Sequence, residues 1–229
     1  MTIAYADTYL SCAQRNLGSM LDFAVNACGL GLKDFYEAFL TQSLSERFSK
    51  GDPAIIAGRS GEELALEVVK GSSLDAEATP SLKTWAPPTG ATREYWAGWA
   101  LAFYQWASGC SFVFIQERVS IEQIASLYHP YHEMDIRHFC EKMDELAKAA
   151  HPQTNLQAKR LAAGLSQRKL AEASRVPLRT LQQYEQRQKN ISRARVDYVI
   201  SLARVLACQP GDLLEYGSAE AFEYAFVSL

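Results

Sequence analysis

The sequence predicts an all-α protein in two parts, an acidic helical region over residues 1–150 and a basic bundle of five short helices over residues 153–216. Three observations predict it. Apolar residues recur at helical spacings of three and four through most of the chain. Helix-start signals stand just ahead of apolar runs, as in Ser60-Gly61-Glu62-Glu63 and Ser120-Ile121-Glu122-Gln123, both with the spacing of a capping box. Charge is also divided. Residues 1–150 carry 12 Lys and Arg against 19 Asp and Glu, while residues 151–229 carry 11 against 7. At 229 residues, 48% hydrophobic and 21% charged, the chain has room for about two domains and excludes wholesale disorder.

Taken in order, a first helix is expected from Thr8 to Cys28, with Leu10, Leu17, Leu21, Phe23 and Val25 as its apolar positions. Gly29 and Gly31 end it. A second runs from about Lys33 to Phe48, turning Phe35, Phe39 and Leu44 inward, and a third follows Ser60 through Val69. Residues 71–92, rich in Ser, Thr, Pro, Gly and Ala and containing Pro87-Pro88, are expected to be a loop. Helix resumes near Thr92, where Trp96, Trp99, Phe103 and Trp106 fall on one stripe. A short helix after Ser120 and a longer one from about His132 to Ala149 complete this part, the latter presenting Ile136, Phe139, Met143 and Leu146. His151-Pro152 marks the domain boundary. The tail, residues 217–229, is apolar with partial alternation and is expected to dock as a strand or an added helix.

The segment from Leu156 reads as five short helices. The first holds Leu156 and Leu161 and stops at Gly164; Ser166 caps a second that carries Leu170 and Ala171. A turn at Ser174-Arg175-Val176 leads to Pro177, which pre-sets the start of a third helix with Leu181 and Tyr184 inward. Val199, Leu202, Ala203 and Leu206 define a fourth, and Gly211-Asp212-Leu213-Leu214 closes the bundle. Two short helices joined by a tight turn in basic surroundings have helix-turn-helix spacing. Through Leu165-Ser166-Gln167, Leu170-Ala171, Val176, Leu181, Tyr184-Glu185, Leu202-Ala203 and Leu206, residues 155–215 resemble the Cro/XRE-type helix-turn-helix family. Two features depart from that pattern. Arg175 stands at a turn position where the family often has Gly, with a backbone cost if its φ is positive. Arg168 and Lys169 stand where the family often has acids, and cations there oppose the helix dipole unless that end faces phosphates.

The resemblance implies a lambda-repressor-like fold and a double-stranded DNA operator as partner, bound by a dimer across paired half-sites. It places the recognition helix at Leu178 to about Gln186. Leu178, Arg179 and Gln183 are the implied base-facing positions, flanked by Thr180 and Gln182. Arg179 is suited to guanine O6 and N7, Gln183 to adenine N6 and N7, and Leu178 to a thymine methyl. Gln167, Arg168, Arg187, Lys189 and Asn190 are the implied phosphate contacts, which set register but not sequence.

Other signals are weaker. His129, His132 and His138 lie near Glu133, Asp135 and Cys140, but the H-E-x-x-H spacing fails at Ile136, and polar positions at a helix start are the simpler reading, so no metal site is expected. The uncharged stretch from Tyr95 to Gln116 is long enough to cross a bilayer, yet Gln105 and its Tyr and Trp residues suit a buried core helix. No phosphate loop and no pairing of nucleophile and base is visible, so no catalytic residue and no cofactor are expected. Five cysteines without a C-x-x-C pair, and an N-terminus without a basic stretch before an apolar core, suggest a reduced, cytoplasmic protein.

For the acidic region the first expectation is an interaction module that dimerises or holds a partner. The stretches YWAGWALAFYQW and NLGSMLDFAVNACG resemble the N-terminal parts of regulators found beside toxin genes. That resemblance implies an antitoxin-like autorepressor whose acidic surface masks a basic toxin protein. The alternative is a small-molecule-sensing regulator with an aromatic pocket near Trp96–Trp106. A third reading, an enzyme fused to a regulator, requires a metal cleft around His132, Glu133 and His138.

Overall fold

A computed structural model describes residues 3–74 and 92–215, and every regular element among them is a helix or a helical turn. The expected loop falls outside the described residues from 75 to 91, and the expected tail falls wholly outside them. The described chain divides into two compact units, residues 3–150 and 151–215.

In the first unit the predicted opening helix is three pieces. A 3-10 turn, Asp7–Tyr9, precedes α1 (Leu10–Asp22), which runs on through a π-type turn at Phe23–Ala27. Gly29, at φ +69, ends it. The predicted second helix is two, α2 (Leu32–Thr41) and α3 (Ser43–Ser49). Between them Gln42 is extended at φ −97 and ψ 152, and its Nε2 donates to the Val68 carbonyl at 2.9 Å. This long-range bond breaks a helix that local propensity would continue. The short α4 (Pro53–Ile56) is capped by Asp52, and α5 (Gly61–Lys70) starts from the Ser60–Glu63 capping box.

Helix α6 (Arg93–Ser108) starts where Thr92 Oγ1 accepts the Tyr95 N–H and stops at Gly109, φ +68. It is buried on nearly all sides, Gln105 included. Burial in protein explains the uncharged stretch, and no described helix is long and apolar enough to cross a membrane. Then come α7 (Phe112–Gln116), α8 (Ile121–Ser126) from the Ser120–Gln123 capping box, α9 (Tyr128–Tyr131) and α10 (Ile136–Ala150). The last begins four residues later than the expected His132, where Asp135 accepts the Arg137 backbone N–H at 2.9 Å.

The core is built on the contact of α1 with α6 and α5. A Cβ on Gly98 would stand 2.5 Å from the Leu17 carbonyl oxygen, and one on Gly61 2.4 Å from that of Asn16. Backbones therefore touch where side chains would separate them. Asn16 Nδ2 donates to the carbonyls of Ile56 and Arg59 at 2.8 and 2.7 Å, and Thr92 Oγ1 donates to Asp22 Oδ1 at 2.5 Å. Trp96 and Trp106 are buried, Trp96 edge-on to Phe139 and Trp106 Nε1 donating to the Tyr5 carbonyl; Trp99 packs partly buried on the same core. The tryptophan stripe is thus packing.

The second unit has its own core around Leu156, Leu170, Leu181, Leu202 and Leu213. It comprises α11 (Asn155–Ala162), α12 (Gln167–Ser174), α13 (Leu178–Glu185), a 3-10 turn (Ile191–Arg193), α14 (Val196–Val205) and a closing 3-10 turn (Pro210–Leu213). The fifth helix of the predicted bundle is this last turn, whose Leu213 is fully buried. Leu161, expected inside, is 49% exposed; Leu156 alone anchors that helix apolarly.

Candidate nucleic-acid interface

The site is built on α12 and α13. Ser166 caps α12, its Oγ accepting the Lys169 N–H at 3.2 Å. The helix ends at Arg175 with φ +57 and ψ 26, the left-handed conformation. Ser174 Oγ donates to the Leu170 carbonyl at 2.6 Å. Pro177, at φ −56, leads directly into α13.

The period of α13 then sorts its side chains. Leu181, Tyr184 and Glu185 are buried, so Arg179, Gln182, Gln183 and Gln186 fall on the outward side. Arg179 is exposed and its guanidinium makes no hydrogen bond or ion pair among the described residues. Thr180 and Gln183 are half-buried beside it, and Leu178 packs partly against the core, which leaves it less surface for a ligand than its sequence position suggested.

Beneath this face lies a buried ion pair. Arg160 of α11 donates to Glu185, the last residue of α13, through Nε at 2.6 Å and Nη2 at 2.9 Å. The two side chains are only 9% and 2% exposed. The carboxylate hydrogen bonds raise the Arg160 pKa further above its usual value, so this cation is permanent. Arg160 Nη1 also donates to the Leu165 carbonyl at 2.8 Å, which fixes the turn between α11 and α12. Gln167 Nε2 donates to the same Glu185 carboxylate at 2.8 Å, and Gln182 Nε2 approaches Gln167 Oε1 at 3.4 Å. The Glu185 carboxylate thereby holds the Gln167 amide directly and reaches Gln182 through it.

The ten residues expected at the interface are not equivalent in the structure. Arg168 and Lys189 are exposed cations with no side-chain partner among the described residues. Gln167 and Gln182 belong to the Glu185 network. Asn190 Oδ1 accepts the Ser192 N–H at 2.8 Å and so caps the following turn. Arg187 is engaged internally, donating to Glu215 and to three backbone carbonyls. Absent from the expected set are Lys169, Arg175 and Gln186, which are exposed on the same two helices and the turn that joins them. The signal for Lys169 and Arg175 was the run of cations itself, and for Gln186 the period of α13; only their outward placement needed coordinates. Among the described residues no three of His, Cys, Asp and Glu gather as a metal site.

This geometry is two short helices meeting at a tight left-handed turn, the second presenting amides and a free guanidinium. Two of the comparisons with known proteins, those with curated proteins and with solved structures, return no match. In the third, residues 156–213 match the family model described as Helix-turn-helix. Residues 156–213 are therefore a Cro/XRE-type helix-turn-helix domain, which supports a DNA-binding transcription regulator.

Proposed function

We propose that the chain is a sequence-specific repressor that binds its operator as a dimer and carries an acidic N-terminal module for a partner protein, in the manner of an antitoxin. The observation that carries the DNA reading is the outward face of α13, where Arg179 stands unpaired beside Gln183 on a helix held rigid by the Arg160–Glu185 pair. Such groups read guanine and adenine edges in a major groove. Arg168, Lys169 and Lys189 supply phosphate contacts. A second copy is supported by α14, where Val196 is 72% and Ile200 42% exposed one turn apart. Arg195 and Asp197 flank Val196 and pair with each other at 2.8 Å. Opposite charges on either side of an apolar residue suit a two-fold contact, in which each pairs equally well across the axis.

The partner reading rests on the net charge of −7 over residues 1–150, which suits a basic protein. The sensing alternative finds no comparable support, because Trp96 and Trp106 are packed into the core.

Titration of the full chain against its own promoter DNA at several salt concentrations tests this function. Arg179→Ala with Gln183→Ala is expected to remove the preference for operator over random duplex, at about 1–3 kcal/mol for each lost contact. Val196→Asp is expected to shift the sedimenting species toward monomer. Equal, weak binding of all sequences by the wild-type chain would overturn the proposal.

A further inference from the structure

Arg187 is placed oddly for a phosphate contact. It lies two residues past the end of α13 at φ +53, a conformation that favours Gly. Its guanidinium is turned back into the domain. Nε donates to Glu215 Oε2 at 2.9 Å, Nη1 to the Pro152 carbonyl at 2.9 Å, and Nη2 to the carbonyls of His151 and Gln153 at 2.9 and 3.2 Å. An arginine has five N–H donors, and four of these are thereby taken.

Glu215 is the other half of the arrangement. Its Oε1 accepts the Asn155 backbone N–H at 2.7 Å, and its backbone carbonyl accepts Ser192 Oγ at 2.5 Å. Asn155 Nδ2 donates to the Leu214 carbonyl at 2.7 Å. Residues 151–155, which lead into the domain from the acidic half, are thus tied to Arg187 by its guanidinium and by the Glu215 carboxylate, while the Glu215 backbone carbonyl holds Ser192. The backbone just after α13 closes that helix. Arg187 N–H donates to the Tyr184 carbonyl at 3.1 Å, and Gln188 N–H to that of Gln183 at 2.9 Å.

We infer that Arg187 and Glu215 are positioning residues that clasp the interdomain segment onto the end of the recognition helix, and that DNA affinity depends on this clasp although neither residue touches DNA. The inference rests on the DNA-binding reading above. Its physical content is mechanical. Any force that displaces residues 151–153 acts through a planar, multidentate guanidinium on a residue just past the end of α13, whose backbone N–H bonds the Tyr184 carbonyl. A partner held by the acidic half has in this segment a covalent route to the helix that reads the operator. The clasp also accounts for an arginine at a left-handed position, since the bonds it makes offset the backbone cost.

The test uses the full chain and four variants: Arg187→Gly, Arg187→Lys, Glu215→Gln, and Arg187→Gly combined with Glu215→Gln. Glycine removes the guanidinium while suiting the backbone, so loss of the clasp is separated from strain. Operator affinity is measured over a salt series, and hydrogen exchange of residues 178–190 is measured without DNA. Arg187→Gly and Glu215→Gln are each expected to weaken specific binding about tenfold. The slope of affinity against salt should stay unchanged, Arg187→Lys should fail to rescue, and the double variant should be no worse than either single one. Exchange at the end of α13 should quicken in all four variants. A salt slope lowered by about one in Arg187→Gly, with Glu215→Gln binding normally, would identify a phosphate contact and overturn the clasp. Losses that multiply in the double variant would overturn it too. If the wild-type chain shows no specific binding, the operator reading fails, and the exchange data still decide: unaltered protection over 178–190 would sink the clasp by itself.

Discussion

The two halves of the molecule dispose of their charges in opposite ways. In residues 3–150 the cations are largely matched: Lys33 with Glu37, Arg47 with Asp52, Lys50 with Glu46, Arg59 with Glu67, Arg137 with Asp135 and Lys142 with Glu145. In residues 151–215, Arg168, Lys169, Arg175, Arg179, Lys189 and Arg204 are exposed with no side-chain partner among the described residues. Surface pairs contribute little to stability, so the difference is not about holding either half together. It concerns what each surface offers. One half leaves an acidic excess, and the other leaves cations beside a helix whose inner side is locked by a buried ion pair. A polyanion suits only the second.

That comparison breaks most visibly if the buried pair is broken. Glu185→Ala strips the carboxylate from Arg160, Gln167 and the end of α13 at once. An uncompensated buried charge costs about 3–5 kcal/mol, a large part of what a domain of this size has in reserve. The helix-turn-helix domain is expected to melt well before the N-terminal half, seen as two separate transitions in calorimetry. A single transition at the wild-type temperature would show that the pair does not support the face.

The corresponding test in the N-terminal half is Gly98→Ala. Its Cβ would stand 2.5 Å from the Leu17 carbonyl oxygen, so α1 and α6 must part. Overpacking of this kind costs about 1–3 kcal/mol. Here the N-terminal transition should fall while the DNA-binding domain keeps its own. Urea melts followed by tryptophan fluorescence read it directly, because all four Trp lie in residues 1–150.

Much of this was legible in the sequence. The capping boxes at Ser60 and Ser120, the cap at Ser166 and the inward Leu181 and Tyr184 are local patterns, and local patterns are what a sequence displays. The break at Gln42 was not legible, because its cause is a bond to Val68, 26 residues away. The π-type turn at Phe23–Ala27 has no punctuation by Gly or Pro. In the site, the outward face of α13 followed from its period, while the inward turn of Arg187 depends on Glu215, 28 residues on. Side chains that answer to distant partners are the ones a linear reading misplaces.

A smaller effect separates the halves by pH. Asp144 is buried, with Oδ1 accepting the Tyr104 hydroxyl at 2.8 Å and Oδ2 without a partner. Burial raises its pKa above the ordinary carboxylate value, outweighing the lowering by Tyr104 and Lys148. A carboxyl whose folded pKa is raised binds its proton more tightly folded than unfolded. It therefore lowers stability as pH rises from the unfolded value, near 4, through the raised one. Asp144→Asn should flatten this part of the profile, so the stability difference between wild type and variant should change only within that window. A difference that is constant from acid to neutral pH would refute the assignment.

The smallest expected effect concerns the backbone. At positive φ the N-terminal half uses Gly29, Gly51 and Gly109, whereas the helix-turn-helix domain places Arg175, Arg187 and Ala207 there alongside Gly164. The two arginines have side chains with work to do at the surface or in the clasp, but Ala207 has only a methyl group. It follows α14 at φ +49, where the Cys208 N–H donates to the Ala203 carbonyl at 3.0 Å and closes the helix. Left-handed alanine costs roughly 1–2 kcal/mol, and the greater freedom of glycine in the unfolded chain takes back about 0.4–1 kcal/mol. Ala207→Gly should therefore stabilise the domain by up to about 1.6 kcal/mol, read as a rise in the urea midpoint of its transition, with operator affinity unchanged. If the midpoint falls instead, the methyl group is packing against something that matters more than the strain, and the contrast between the halves would reflect side-chain needs at all three positions.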